Sequence, residues 1–424
     1  MNTTVRKTRS VCPVCLKNLP AELTKNDAGE IHIERCCPEH GSFSACVWRG
    51  KLDFAQWTKY SSPLEGSGTQ CPGNCGICSE HEEATCCCLL EVTTRCNLKC
   101  KFCFANGGEA AEDPSADEVK AWIRDIVRLC GKPLLQFSGG EPTLRDDLDE
   151  LIRYAKEAGC SFVQLNTNGI RLAQDKDYVR RLKEAGLDIV FLQFDGVDDS
   201  VYTSLRGMPL FKTKVQAIKN CAEQKIGVTL VPTVVRGVND DALGDIITFA
   251  KENIPAVRAV HFQPVSYFGR YPSEPDDSAR YTLDELMADI SAQAGIGGEC
   301  FIPSRCDHPL CGFHSSFLVD KKGELKPLAT ASAKARSCAD ENRTYVARHW
   351  MRHPQSAEPG ADHADEMDFE TFLNRVRSES ITLSAMAFQD AMNLNIERLH
   401  RCSLHVYKDG AVKPFCANYL TPIE

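Results

Sequence analysis

The stretch TTRCNLKCKFCFANGG (Thr93–Gly108) spaces Cys96, Cys100 and Cys103 with three and then two intervening residues. A closed tetrahedral ion site or a fully capped iron–sulfur cube uses four thiolates. Three thiolates hold three irons of a 4Fe–4S cube and leave the fourth iron open to a small ligand. The alternative is three of the four ligands of a zinc ion, with the fourth elsewhere.

The surrounding pattern favours the open cube, because a lone zinc site does not account for it. Short β-rich apolar runs occur at 88–93, 133–138, 161–166, 188–194, 227–233 and 259–265. Helical patterns lie between them. Ser115 and Glu118 form a capping-box pattern ahead of the stripe Val119, Trp122, Ile123 and Ile126. Leu148, Leu151, Ile152 and Ala155 share one face of a helix that stops at Gly159. Further helices are expected at 174–185, 211–224 and 240–253, and another from near Thr282. Strand–helix repetition implies a parallel sheet with right-handed crossovers. Six strands are too few for a complete barrel, so the fold class predicted is α/β, a partial, open (β/α)6 TIM-type barrel. Its working residues belong in loops after the strands' C-terminal ends, where the three-cysteine loop falls.

The chain has 424 residues, with 43% hydrophobic and 25% charged residues, as in an ordinary globular protein. A formal net charge of -9 argues against broad binding of nucleic acid. No run approaches the length of a transmembrane segment, and the N-terminus lacks the apolar core of a signal peptide. The cytoplasm is the expected location. Disulfides are a poor account of 23 cysteines there, and clustering points to metals. Cys130, Cys160 and Cys221 fall on helix or strand patterns and read as small buried apolar residues.

Three further groups stand out. Cys71, Cys75, Cys78 and Cys86, four thiols within sixteen residues, suit a second, fully capped cube, with structural zinc as the alternative. Cys87 and Cys88 enter the first strand on opposite faces and are not counted as ligands. Cys306, Cys311, Cys402 and Cys416 are either buried free thiols or ligands of a further cluster that ties the C-terminal segment back as a cap. Cys12, Cys15, Cys37 and His40 resemble a zinc-ribbon or rubredoxin-like knuckle for one tetrahedral zinc or iron, with Cys36 and Cys46 as alternative ligands. The polar, acidic stretch 353–368 reads as an exposed loop or insert.

CNLKCKFC resembles the signature of the radical S-adenosylmethionine (SAM) enzymes. The resemblance implies that the open iron is chelated by SAM, which is cleaved reductively to methionine and a 5′-deoxyadenosyl radical. It also assigns Gly139, Gly140, Glu141 and Pro142 to a motif that meets the SAM amino group. Asn168 ends the third strand as in relatives; Gln193 and Asp195 resemble positions touching the ribose and methionine parts; Phe102 falls near the adenine. The run from the knuckle through CPGNCGIC, FSGGEPTLRDDL, LQFDGVDD, QPVSYFGR and HPLCG to PFC is similar to the class D radical SAM methyltransferases. That group includes a pterin-methylating enzyme and the tetraether lipid synthases. The resemblance lifts the cluster reading of the C-terminal cysteines.

The expected organisation is a metal module at 1–68, an auxiliary-cluster segment at 69–88, the barrel at 89–295 and an auxiliary-cluster domain at 296–424. The expected cofactors are SAM, three 4Fe–4S clusters (one SAM-binding and two auxiliary) and one mononuclear zinc or iron. Expected partners are a reductant such as flavodoxin or ferredoxin and a small-molecule or lipid substrate. The expected reaction is carbon–carbon bond formation, by methylation or coupling. Alternatives are transfer of the aminocarboxypropyl part of SAM and an iron–sulfur electron-transfer protein.

Overall fold

The apolar runs beyond residue 86 form parallel strands: β1 (Cys87–Thr93), β2 (Leu134–Gly139), β3 (Phe162–Thr167), β4 (Ile189–Gln193), β5 (Gly227–Val231) and β6 (Val257–Pro264). Helices α1 (Ala116–Cys130), α2 (Leu148–Ala158), α3 (Lys176–Glu184), α4 (Phe211–Glu223) and α5 (Leu243–Glu252) lie between them. The computed structural model describes residues 2–59, 61, 71–73, 76–108, 112–274, 276–304, 306–329, 338–352 and 369–423. Cys75 and the stretch 353–368 lie outside the described residues.

Local chemistry accounts for the helix ends. Ser115 and Glu118 make the reciprocal bonds of a capping box, and Gly159 ends α2 at φ 107°. The stripes of α1 and α2 are buried against the sheet, with Trp122 only partly covered. Thr282 with Glu285 caps the helix Leu283–Ala294.

The sheet runs further than six strands. Two more parallel strands come from the C-terminal region: β7 (Ser380–Met386) pairs with β6, and β8 (Leu404–Lys408) pairs with β1. The parallel order is β7-β6-β5-β4-β3-β2-β1-β8. Gly312–Val319 adds an antiparallel strand beyond β7, and Ala411–Pro414 another beyond β8. The segments after the two outer strands meet over the mouth, where Phe388 stacks on Phe415 at 4.3 Å and Phe104 and Tyr419 pack alongside.

The opposite end has a floor. Helix α6 (Ala339–Trp350) sets Val346, Ala347 and Trp350 against Leu134, Phe162 and Ile189, at the N-terminal ends of β2, β3 and β4. Alternation along β1 puts Cys88 in the core and Cys87 on the lumen.

The N-terminal module is a four-stranded antiparallel sheet, Thr3–Val11, Asn18–Lys25, Ile31–Cys37 and Gly41–Trp48. Polar bonds dock it onto the C-terminal segment. Thr8 Oγ1 donates to Asn395 Oδ1, Ser10 Oγ to the Leu394 carbonyl, and buried Arg35 to the Ala391 carbonyl.

Candidate active site and metal centres

Cys96, Cys100 and Cys103 follow β1 and line a cavity of about 280 Å³ that fills the barrel lumen. Their loop is gripped from two sides. Gly140 N–H donates to the Thr93 carbonyl and Glu141 N–H to the Arg95 carbonyl, which binds the end of β2 to the loop. A Cβ on Gly139 would lie 2.2 Å from Thr93 O, and one on Gly140 2.2 Å from Arg95 O. Both glycines are therefore required by contact with the cysteine loop itself. On the other side Cys103 and Arg270 exchange backbone hydrogen bonds, and Arg270 Nε donates to the Cys100 carbonyl. Gly269, at φ 66°, leaves room for the Cys103 carbonyl.

Glu141 is almost fully buried. Its Oε1 accepts from Thr143 N–H, Thr143 Oγ1 and Thr167 Oγ1, and its Oε2 accepts from Asn168 N–H. The acceptor capacity left over lies on Oε2 of this cavity-lining residue. Asn168 also lines the cavity, and its Nδ2 donates to Asn97 Oδ1. Pro142 is buried in the first turn of a short 3-10 helix. Phe102 lines the cavity and meets Tyr267 edge-on at 6.2 Å.

Asp195 is fully buried and holds Arg206 in a bidentate pair at 2.6 and 2.7 Å, while also accepting from Thr233 N–H. Its place on the cavity wall is taken by Arg206. Burial works against the charge on that guanidinium, and Asp195 more than offsets it. Gln193 lines the cavity, with Nε2 3.9 Å from Cys100 Sγ and Oε1 accepting from Lys214 Nζ at 3.1 Å. Lys214 is fully buried, and burial brings its ammonium down to about 8. Arg206, Lys214 and Arg270 are the residues sequence reasoning missed. Their signal was faint: Arg206 and Lys214 stand on helices, where an Arg or Lys usually faces water, and Arg270 stands in the loop after β6, where nothing in QPVSYFGR marks its arginine as a site residue.

These residues fit a cluster with an open iron and a zwitterionic ligand. The three thiols do not converge on a single-ion site, as thiolates on separate irons would not. Burial pushes the Cys96 thiol up to about 12, so a metal must displace its proton.

Cys12, Cys15, Cys37 and His40 do converge, with their ligand atoms all within 4.8 Å of one another. Two tight turns carry them, one after the first strand and one after the third. Burial raises the Cys37 thiol, but the Glu39 N–H, the His40 ring and the His40 N–H outweigh it and leave it at about 6. The alternative ligands lie apart from this set: Cys36 is exposed, and Cys46 groups with His32 and Asp277. Arg49 already supplies a cation there, bonding Glu30 Oε1 and the Asp277 carbonyl.

The remaining cysteines regroup across the sequence. Cys311, Cys402 and Cys416 line one small cavity. Arg398 Nε points at Cys311 Sγ (3.4 Å) and Gln389 N–H at Cys416 Sγ (3.3 Å). Cys306 packs instead with Cys86, which also accepts from Asn342 Nδ2. Cys71 Sγ lies 3.2 Å from His400 Nε2. Cys78 is half-buried.

A parallel barrel with three thiols at its mouth and a strand-end Gly-Gly-Glu beside them defines a radical SAM enzyme. Residues 90–250 match the radical SAM superfamily, and residues 4–49 match the HMPTM N-terminal zinc ribbon domain. The chain is 33% identical to the 7,8-dihydro-6-hydroxymethylpterin dimethyltransferase of Methanocaldococcus jannaschii, over 97% of this chain and 92% of that protein. It belongs to the radical SAM superfamily and, within it, to the class D methyltransferase-like group. The Fe-coproporphyrin III synthase of Methanosarcina barkeri is 38% identical over 49% of each chain. Among solved structures, SuiB of Streptococcus suis overlaps 50% of this chain and 47% of its own, with 19% identity and a TM-score of 0.41. Among the described residues no helix is long and apolar enough to cross a membrane.

Proposed function

We propose that this enzyme methylates a pterin, or a closely similar small heterocycle, forming a carbon–carbon bond. The observation that carries this reading is the lumen. Gln136, Gln164, Asn166, Gln193 and Gln263 all line it. Side-chain amides offer paired donors and acceptors that complement a ring edge with both, while the apolar and aromatic side chains that make up most of the wall, Phe102, Phe191 and Phe268 among them, suit the faces of a flat ring. The pterin dimethyltransferase relative supports the same choice.

The chemistry supplied by a bound cluster and SAM is reductive opening of the sulfonium to a carbon radical. The chain's own residues have positioning roles. Cys96, Cys100 and Cys103 hold three irons. Oε2 of Glu141 accepts from the SAM ammonium, and Arg206, already oriented by Asp195, faces the carboxylate. Lys214 fixes Gln193 and the Asn168 carbonyl beside them. The aromatic cap over the mouth excludes water, which protects a radical from quenching. Two auxiliary 4Fe–4S clusters and one ribbon metal complete the set, with electrons delivered by a flavodoxin- or ferredoxin-type donor.

The SAM that is cleaved keeps its methyl group on methionine, so the new carbon comes from a separate one-carbon donor. The test is anaerobic incubation of reconstituted enzyme with reductant, 7,8-dihydro-6-hydroxymethylpterin, excess SAM and, in a second arm, a methylene-bearing reduced folate, read by mass spectrometry. Methylated pterin with 5′-deoxyadenosine is the expected result. Methylthioadenosine with an aminocarboxypropyl adduct would replace methylation by the other transfer.

A further inference from the structure

Helix α6 belongs to a part of the chain whose sequence resembles none of the motifs that identify the enzyme, yet it builds the cavity floor. Trp350, its last residue, lines the lumen. The indole lies nearly parallel to Phe191, 5.8 Å away at 24°, and edge-on to His261 at 5.9 Å. These two rings fix its orientation. Its Nε1–H is buried and has no hydrogen-bond partner. On the same lumen Gln164 Oε1 is also buried without a partner. A buried donor and a buried acceptor are each costly when left unpaired, so two of them on the wall of one cavity point to a ligand that supplies both complements.

The height is right for a bicyclic ring. Phe191, which carries the indole, lies two residues before Gln193 on β4, and Gln193 is beside Cys100. Two residues of strand rise about 7 Å, which is about the length of a fused two-ring heterocycle. A ring seated on the floor therefore reaches the radical's end of the lumen.

We propose that Trp350 and Gln164 are specificity-determining residues that hold the flat ring of the substrate, the indole N–H donating to a ring nitrogen or oxygen and the amide oxygen accepting from the 2-amino edge. This rests on the pterin reading above. It makes α6, outside the barrel's strand–helix repeat, the element that selects the substrate.

The experiment measures anaerobic equilibrium binding of 7,8-dihydro-6-hydroxymethylpterin, and of its analogue lacking the 2-amino group, to reconstituted enzyme with SAM present. Trp350→Phe keeps a ring and removes the N–H; Gln164→Met keeps the volume and removes the acceptor. Each is expected to weaken binding of the pterin about tenfold or more, with SAM affinity and iron content unchanged. Wild type should prefer the 2-amino compound, and Gln164→Met should lose that preference. Wild-type affinity in both variants, or an intact preference in Gln164→Met, overturns the inference and leaves the pterin reading standing. Failure of the wild type to bind any pterin overturns that reading and the inference together. Should Trp350→Phe fold poorly, Gln164→Met decides alone.

Discussion

The carboxylate of Glu141 serves the fold before it serves any ligand. Four hydrogen bonds from Thr143, Thr167 and Asn168 converge on it, so it ties the end of β2 to the end of β3. In Glu141→Gln the new NH2 must face either the Thr143 or the Asn168 backbone N–H, and one buried donor is left unpaired. The expected result is a loss of about 1–3 kcal/mol in denaturant unfolding, together with weaker SAM binding and unchanged iron content. Unaltered stability would show that the carboxylate is not the brace described. His261 gives a pH prediction at the same scale. Burial pushes it down to about 4 from an ordinary 6.5. The unfolded chain therefore binds its proton first as pH falls. The contribution of neutral His261 is complete above pH 6.5 and is lost as pH drops through 4, a change of about 3 kcal/mol. Unfolding curves from pH 7 to 4 should show a shallower decline in His261→Asn.

At the scale of elements, the close contacts of Gly140 explain why the strand-end motif carries glycine. Its missing Cβ leaves room for the Arg95 carbonyl, a backbone atom that cannot swing aside. Gly140→Ala should push the cysteine loop off β2. The SAM-binding cluster and SAM cleavage should be lost, while the iron of the other centres and the ribbon metal remain. A full iron complement in that variant would contradict the contact. The same elements show what a sequence reveals. The barrel strands and the helices α1 to α5 lie within three residues of where period-2 and 3.6-residue patterns put them, because each run has a buried face; the widest miss is the start of α5, Leu243 against an expected 240, where no side chain caps the helix. The outer strands β7 and β8 were not anticipated. Ser380–Met386 alternates small polar and apolar residues, and Leu404–Lys408 is only five residues long. Their identity depends on partners far away in sequence, β6 and β1. The site divides in the same way. The cysteines and glycines announce themselves by spacing, whereas Arg206, Lys214 and Trp350 matter through where their helices point them.

Across the whole molecule, two different things hold the active site. The first cluster is bound by a loop on the rim of an apolar core, and that core does not need it. The C-terminal segment is another matter: β8 covers the free edge of β1, the strand that leads into the cysteine loop, and Phe415 and Tyr419 after it close the mouth. Wild type should carry about twelve acid-labile sulfides, four per cube. The triple variant Cys96→Ala, Cys100→Ala, Cys103→Ala should lose about four of them, cleave no SAM, and show no SAM-induced change in the EPR signal of the reduced protein, yet unfold within a few degrees of wild type. Removal of residues 402–424 should be far more damaging. It exposes the backbone of β1 as an unpaired edge, strips the aromatic cap and takes away Cys402 and Cys416, so the expected product is insoluble or aggregated on size-exclusion chromatography. A soluble truncated chain that keeps the SAM-dependent EPR change would mean that the six inner strands hold the cysteine loop unaided, and that β8 is an ornament on the barrel and not part of its wall.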